Sequence, residues 1–295
     1  MKICYIGCVY SSAVLLRTLV NSGKDIVGVV TQSNSNYNSD FESLVPLCKE
    51  RNIPFVCADQ VTKEEIVEFM KQHAPDVIYC FGWSRLIEEQ ILMIPALGGI
   101  GFHPAQLPYN RGRHPLIWAL ALGLKETAST FFQMTAEADA GDIISQKIVE
   151  IAYEDDARDL YQKVLNVASK QILEFTEYAE RYGKFPFIRT NEGGNIWRRR
   201  DKLDGVIDWR MSSENIYNLV RALTHPYIGA HFCDSEREYK VWKVQVYQEP
   251  VLDNLEPGKI LRVNSRHDFV VKTGDGAIRI LDCDEVVLKE GEYLR

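Results

Sequence analysis

Four short apolar runs, each followed by an amphipathic stretch, fill the first hundred residues, and this alternation limits the chain to few folds. The runs are KICYIG (2–7), DIVGVVTQ (25–32), PFVCAD (54–59) and DVIYCFG (76–82). Between and after them lie SSAVLLRTLVNSG (11–23), FESLVPLCKERN (41–52), TKEEIVEFMKQHA (62–74) and LIEEQILMIP (86–95), which read as helices. Near-continuous apolar strands alternating with helices indicate a parallel sheet covered on both faces, a doubly wound α/β layer. Local signals agree: Ser11 or Ser12 is the expected first N-cap, Gly23 its C-cap, and Thr62 with Glu65 forms a capping-box pattern.

GGIGFHP (98–104) continues as a fifth strand, followed by the apolar helix PLIWALALGL (115–124). Strands TASTFFQM (127–134) and IISQKIVEI (143–151) flank the acidic loop TAEADAGD (135–142). Residues 157–183 form a long amphipathic helix, with Leu160, Val164, Val167, Ile172 and Phe175 roughly on one face. KFPFIRTNEGGN (184–195) is a Pro/Gly/Asn-rich boundary, after which the chain changes character. One helix, SSENIYNLVRAL (212–223), precedes short strands with turn signals, the pattern of a small open barrel. The expected organisation is a Rossmann-like, parallel or mixed α/β catalytic domain over 1–189, a linker over 190–205, and an OB-like, mostly β domain over 206–295.

The first strand is followed by GCVYSS, with Gly7 alone where a dinucleotide fingerprint needs three glycines. NAD binding is therefore not expected, although free N–H groups at the next helix start, near Tyr10 and Ser11, suit a phosphate or carboxylate. Seven scattered cysteines without zinc spacing read as buried thiols of a reducing cytoplasm, and no metal is expected. No apolar stretch approaches the ~20 residues of a membrane span. The net charge of −7 argues against a grip on a long phosphate backbone, but not against a small nucleotide.

His103 stands at a strand end, before a loop punctuated by Pro104 and Pro108, and Asp139 lies in the acidic loop downstream. A histidine paired with a buried carboxylate is a general-base arrangement. The whole stretch FHPAQLPYNRGRHPLIWALALGLKETASTFFQMTAEADAGDIISQ (102–146) resembles the 10-formyltetrahydrofolate-dependent formyltransferase family. His103, Leu107-Pro108, Arg111-Gly112-Arg113, Thr130, Asp139 and Gly141 follow that family's pattern in order. FGWSRLIEEQIL (81–92) resembles its folate-side loop, and GVIDWRMSSENIYNLVRALTHPYIGAHF (205–232) the start of its C-terminal domain.

The resemblance implies transfer of formyl from 10-formyltetrahydrofolate to an amine, without a metal. His103 would manage the amine proton, and Asp139 would orient it and favour its charged form. Trp83, Arg85, Leu86, Ile87, Ala138, Gly141 and Asp142 fall at folate-side positions. Tyr10, Ser11, Asn110, Arg111, Arg113 and Thr130 fall on the substrate side. The family carries Asn two residues before its His, as donor to the oxyanion, and this chain has Gly101 there. The expectation is that the glycine frees space beside His103 and that another donor enters. His114, kept neutral by Arg111 and Arg113, leads the candidates, ahead of Asn110, Gln106, Gln133 and a backbone N–H.

For the acceptor, the acidic charge and the early loop TQSNSNYNSD, which lacks lysine and arginine, favour a small amino sugar carried on a nucleotide over tRNA. RGRHP (111–115) and the run Arg198, Arg199, Arg200 are candidate diphosphate contacts, with Tyr10, Trp83 and Trp197 as stacking candidates. Such products enter surface polysaccharides. A methionyl-tRNA formyltransferase and a catalytically silent folate- or sugar-binding homologue are the alternatives, and a homodimer is left open.

Overall fold

The computed structural model describes residues 1–34, 39–85, 87–135, 137, 139–188, 193–234 and 237–294. The chain divides into two compact units: Met1–Gly112 with Thr127–Val149 and Gln162–Trp197, and Arg113–Glu126 with Glu150–Tyr161 and Arg198–Arg295.

The first unit is built on β1 (Lys2–Ile6), β2 (Asp25–Thr31), β3 (Phe55–Cys57), β4 (Val77–Cys80) and β5 (Gly99–His103), with β7 (Glu126–Gln133) and β8 (Ile143–Glu150) completing a seven-stranded sheet. The strand order is β3-β2-β1-β4-β5-β7-β8. Pairing is parallel from β3 to β5, and β7 runs antiparallel to β5. Strand order reverses between β1 and β4, the switch point at which open α/β sheets leave a crevice. A separate two-stranded pair joins β6 (Arg111–Gly112) to β9 (Ile196–Trp197) in parallel; nothing in the sequence pattern signalled it.

The helices are α1 (Tyr10–Asn21), α2 (Val45–Glu50), α3 (Lys63–His73), α4 (Glu89–Leu92) and α6 (Ala157–Tyr182). The first begins one residue before the expected cap. Val9 is its N-cap, and the Ser12 hydroxyl reaches back to accept the Val9 N–H at 3.2 Å. α3 starts as expected, since Thr62 Oγ1 accepts the Glu65 N–H while Glu65 Oε2 accepts the Thr62 N–H. α2 is shorter than the expected twelve residues, with Pro46 in its first turn. The buried stripe of α6, including Ile172 and Phe175, packs on Tyr79, Ile100 and Phe131 of the sheet. Apolar burial of such large side chains stabilises by about 1.5–3 kcal/mol each.

The second unit holds α5 (Pro115–Ala121), α7 (Ser213–Leu223) and strands β10 (Ala230–Cys233), β11 (Glu238–Val246), β12 (Ile260–Val263), β13 (Phe269–Lys272) and β14 (Ala277–Cys283). The strands form one antiparallel sheet in the order β10-β11-β14-β13-β12. Trp209 and Phe269 both pack against the Phe232 ring. None of the seven cysteines is in a disulfide; six are buried and Cys233 is exposed. Burial pushes the thiols of Cys4, Cys48 and Cys283 up to about 12. Among the described residues no helix is long and apolar enough to cross a membrane.

Candidate active site

β5 ends at His103, which is 5 % exposed. Its Nε2 lies 2.8 Å from the Asn110 carbonyl oxygen. A carbonyl only accepts, so Nε2 carries the proton and donates. Nδ1 then faces Asp139, with Oδ2 at 3.7 Å. That separation exceeds a hydrogen bond. The bond that orients the imidazole therefore comes from the Asn110 backbone, and Asp139 stands beside it without a hydrogen bond. Asp139 Oδ2 is itself held by the Gly112 N–H at 3.1 Å. An amine nitrogen placed beside the gap reaches Nδ1 and Oδ2 together.

Both supports are conformationally unusual. Asn110 and Asp139 adopt φ of 62° and 55°. Left-handed backbone costs a non-glycine residue of order 1–3 kcal/mol, least for Asn and Asp, and it clusters at functional sites.

The space beside Gly101 is not free, contrary to expectation. Residue 101 pairs with Phe132 across β5 and β7. A Cβ on Gly101 would lie 2.5 Å from Phe132 Cζ. Strand alternation puts positions 101 and 103 on one face, so an aromatic ring occupies the ground where the family's asparagine side chain would stand. Phe132 is held there by Leu107, Ile143 and Met134. Gln133 pairs with Ile100, three positions along β5 from His103, about 10 Å away at strand rise, and so falls away as a donor. Gln106 is exposed.

Thr130 is fully buried and braces the loop. Its hydroxyl donates to the Ala105 carbonyl at 2.7 Å and accepts from Gln146 Nε2 at 3.0 Å, so its single proton is committed within the protein. Arg111 Nη1 meets Glu137 at 3.0 Å, whereas its Nε is buried with no partner among the described residues. Gly141 lies under the Gln133 carbonyl oxygen, 1.7 Å from where a Cβ would be, and the Asp142 carbonyl accepts the Gln133 N–H. Both shape the acidic loop through backbone. Leu86 and Ala138 lie outside the described residues.

At the switch point, a pocket of about 100 Å³ is lined by Ile6, Val30, Ala58, Ile66, Trp83 and Ile87, with Arg85 also on its wall. Lys63 Nζ and Glu88 Oε1 form an ion pair of 2.7 Å on the same wall. Tyr10 is 39 % exposed at the start of α1, and Ser11 is buried beside it.

The second unit carries His114 and the arginine run. His114, at φ 57°, precedes α5, and its Nδ1 accepts the Arg200 N–H at 3.2 Å. Desolvation, then the charges of Arg200, Arg199 and Arg113, hold its pKa below the ordinary imidazole value. Neutral with Nδ1 occupied, His114 keeps its proton on Nε2 as a donor. Arg111, expected to contribute, is not among the causes. Arg198 and Arg200 lie over the Trp118 ring at 5.3 and 4.5 Å, and Arg198 is bonded to Asp204. These two cations are committed within the protein rather than presented to a diphosphate. Trp118 Nε1 donates to the Arg198 carbonyl at 3.0 Å, so the interaction is built from both sides.

Among the described residues, His231, Cys233 and Glu238 gather ligand atoms within 4.8 Å of one another. Lys202 and Lys240 already contact the Glu238 carboxylate at 2.6 and 2.8 Å, which opposes a further cation there.

The chain matches the family pattern described as formyl transferase over residues 4–176, and that of its C-terminal domain over residues 200–286. Among solved structures, it is similar to HypX from Aquifex aeolicus in complex with tetrahydrofolic acid, at 19% identity and TM-score 0.70, covering 97% of this chain and 44% of HypX. It thus spans less than half of that larger protein. An N-formyltransferase from Helicobacter canadensis, in complex with folinic acid and dTDP-3-aminofucose, matches at 19% identity and TM-score 0.70, covering 96% of this chain and 99% of its own. A methionyl-tRNA formyltransferase from Clostridium thermocellum matches at 16% identity and TM-score 0.62, covering 84% and 94%. At these identities the likeness is one of fold.

Proposed function

Because the chain belongs to the formyl transferase family, we propose that it moves a formyl group from 10-formyltetrahydrofolate to the amine of a nucleotide-linked amino sugar. The observation that carries this reading is the His103–Asp139 pair at the end of β5, with Nδ1 and a carboxylate oxygen 3.7 Å apart and both fixed by backbone groups. The acceptor amine sits beside that gap, within reach of both atoms. Asp139 attracts and orients it, His103 Nδ1 takes a proton as the nitrogen attacks the formyl carbon, and the same proton passes to the departing folate nitrogen. The C–N bond to the acceptor forms as the C–N bond to folate breaks.

The pocket at the switch point, apolar and walled by Trp83 and Ile87, suits the flat ring system of the donor. Arg111 Nε, a buried N–H without a partner among the described residues, is a donor free for an oxygen of the substrate. It stands in for a group that Gly101 does not supply, and one oxyanion donor is worth about 3–4 kcal/mol of barrier. The sugar-nucleotide acceptor is supported by the full-length similarity to the H. canadensis enzyme, whose structure holds dTDP-3-aminofucose, and by the acidic charge of −7.

The second reading, a silent binding homologue, is favoured by the Phe132 ring at the donor position. Incubation with 10-formyltetrahydrofolate and a panel of amino-sugar nucleotides, read by mass spectrometry, separates the readings. Gain of one CO on a sugar nucleotide, abolished in His103→Ala, supports formyl transfer. Formylation of methionyl-tRNA alone would replace the acceptor, and ligand binding without any transfer would favour the silent homologue.

A further inference from the structure

We propose that Asn195 is a positioning residue for the His103–Asp139 pair, acting through β6; the kinetic part of this inference rests on the formyl-transfer reading above. At the start of β6 the Asn110 carbonyl accepts from His103 Nε2 at 2.8 Å, and the Gly112 N–H donates to Asp139 Oδ2 at 3.1 Å. This short segment thus fixes the tautomer of the base and the place of the carboxylate together.

The same segment is held in place by Asn195. Its backbone carbonyl accepts the Arg111 N–H at 3.1 Å, and its side-chain Oδ1 accepts the Asn110 N–H at 2.9 Å. Two consecutive N–H groups of the loop are therefore satisfied by one residue. The side-chain bond falls on Asn110, the residue in left-handed backbone whose carbonyl orients the histidine. Without that acceptor, the Asn110 peptide is free to rotate, and the imidazole loses its fixed acceptor. The approach is close enough to demand glycine before it. Gly194 has φ of 97°, and a Cβ there would stand 2.0 Å from the Pro108 carbonyl oxygen. Asn195 is exposed, so its bond to the loop is not a by-product of core packing.

The test uses the full chain and two independent readouts. Nitrogen NMR of the histidine rings, with His103 assigned by its loss in His103→Gln, is expected to show one Nε2–H tautomer in the wild type. Asn195→Ala is expected to give a mixed tautomer at His103 and turnover lower by roughly 10²-fold, the effect of an ~1 Å misplacement, with the KM for the folate donor little changed. Asn195→Asp keeps an acceptor oxygen and is expected to restore both. If Asn195→Ala does not fold, as judged by circular dichroism, Asn195→Ser takes its place. An unchanged His103 spectrum and unchanged turnover in the Ala variant would overturn the proposal, as would failure of the Asp variant to rescue. If the wild type formylates no acceptor, the formyl-transfer reading falls, and the ring spectrum alone decides the positioning role.

Discussion

Gly101 and Phe132 are best understood as one unit: the glycine exists so that the ring can lie across it. Restoring the family's asparagine by Gly101→Asn is therefore expected to destabilise the protein, by about 1–3 kcal/mol for an overpacked core position, and to leave turnover no better. Gly101→Asn with Phe132→Ala opens the space and is expected to recover much of the lost stability. Thermal unfolding of the two variants checks the coupling, and equal melting temperatures would separate the residues. At the same scale, His103→Ala and Asp139→Asn should each lower turnover by about 10²–10⁴-fold, the usual contribution of a general base and its partner. Circular dichroism should show both folded.

Elements differed in how far the sequence announced them. Strands β1, β2, β4 and β5 are largely apolar runs and were legible, as was α3 with its paired Thr62 and Glu65. The reciprocal cap gives a direct prediction: Thr62→Ala removes one N–H acceptor and should cost about 1 kcal/mol. Urea denaturation measures it, and a change below 0.3 kcal/mol, roughly the size of an exposed helical pair, would demote the cap. The first helix cap was misplaced because two serines in a row offer the same chemistry, and backbone geometry chose Val9. β6 and β9 were illegible: two residues have no period to read, and their pairing joins positions 85 apart, Arg111 with Ile196 and Gly112 with Trp197. The approach of Asp139 to His103 was legible only through the family resemblance, because spacing alone does not pair two residues 36 apart. The orienting partner of His103 was not, because a backbone carbonyl carries no sequence signal. The filling of Gly101 depended on cross-strand register, which no single strand reveals.

At the scale of the whole molecule, charge and acid response give two further expectations. A chain of net charge −7 should bind methionyl-tRNA weakly at physiological salt, so retention on that tRNA, steeply weakened by salt, would point to a phosphate-reading surface. In the second unit, hydrogen bonds from Lys202 and Lys240 lower the Glu238 pKa from 4.5 to about 2. The ionised form is favoured in the fold, so its stabilisation is present above pH 4.5 and is lost as pH falls toward 2. Glu238→Gln should flatten that acid limb in denaturant midpoints, while leaving the His103 spectrum unchanged. Opposite Glu238 in the β10–β11 pairing lies Cys233, the one exposed cysteine of seven. A chromogenic disulfide reagent should therefore give a burst of one equivalent on the native protein and seven after denaturation. A fluorophore installed in that burst would sit in the second unit alone, so its anisotropy would follow that unit through titration or melting, separately from the sheet that carries His103.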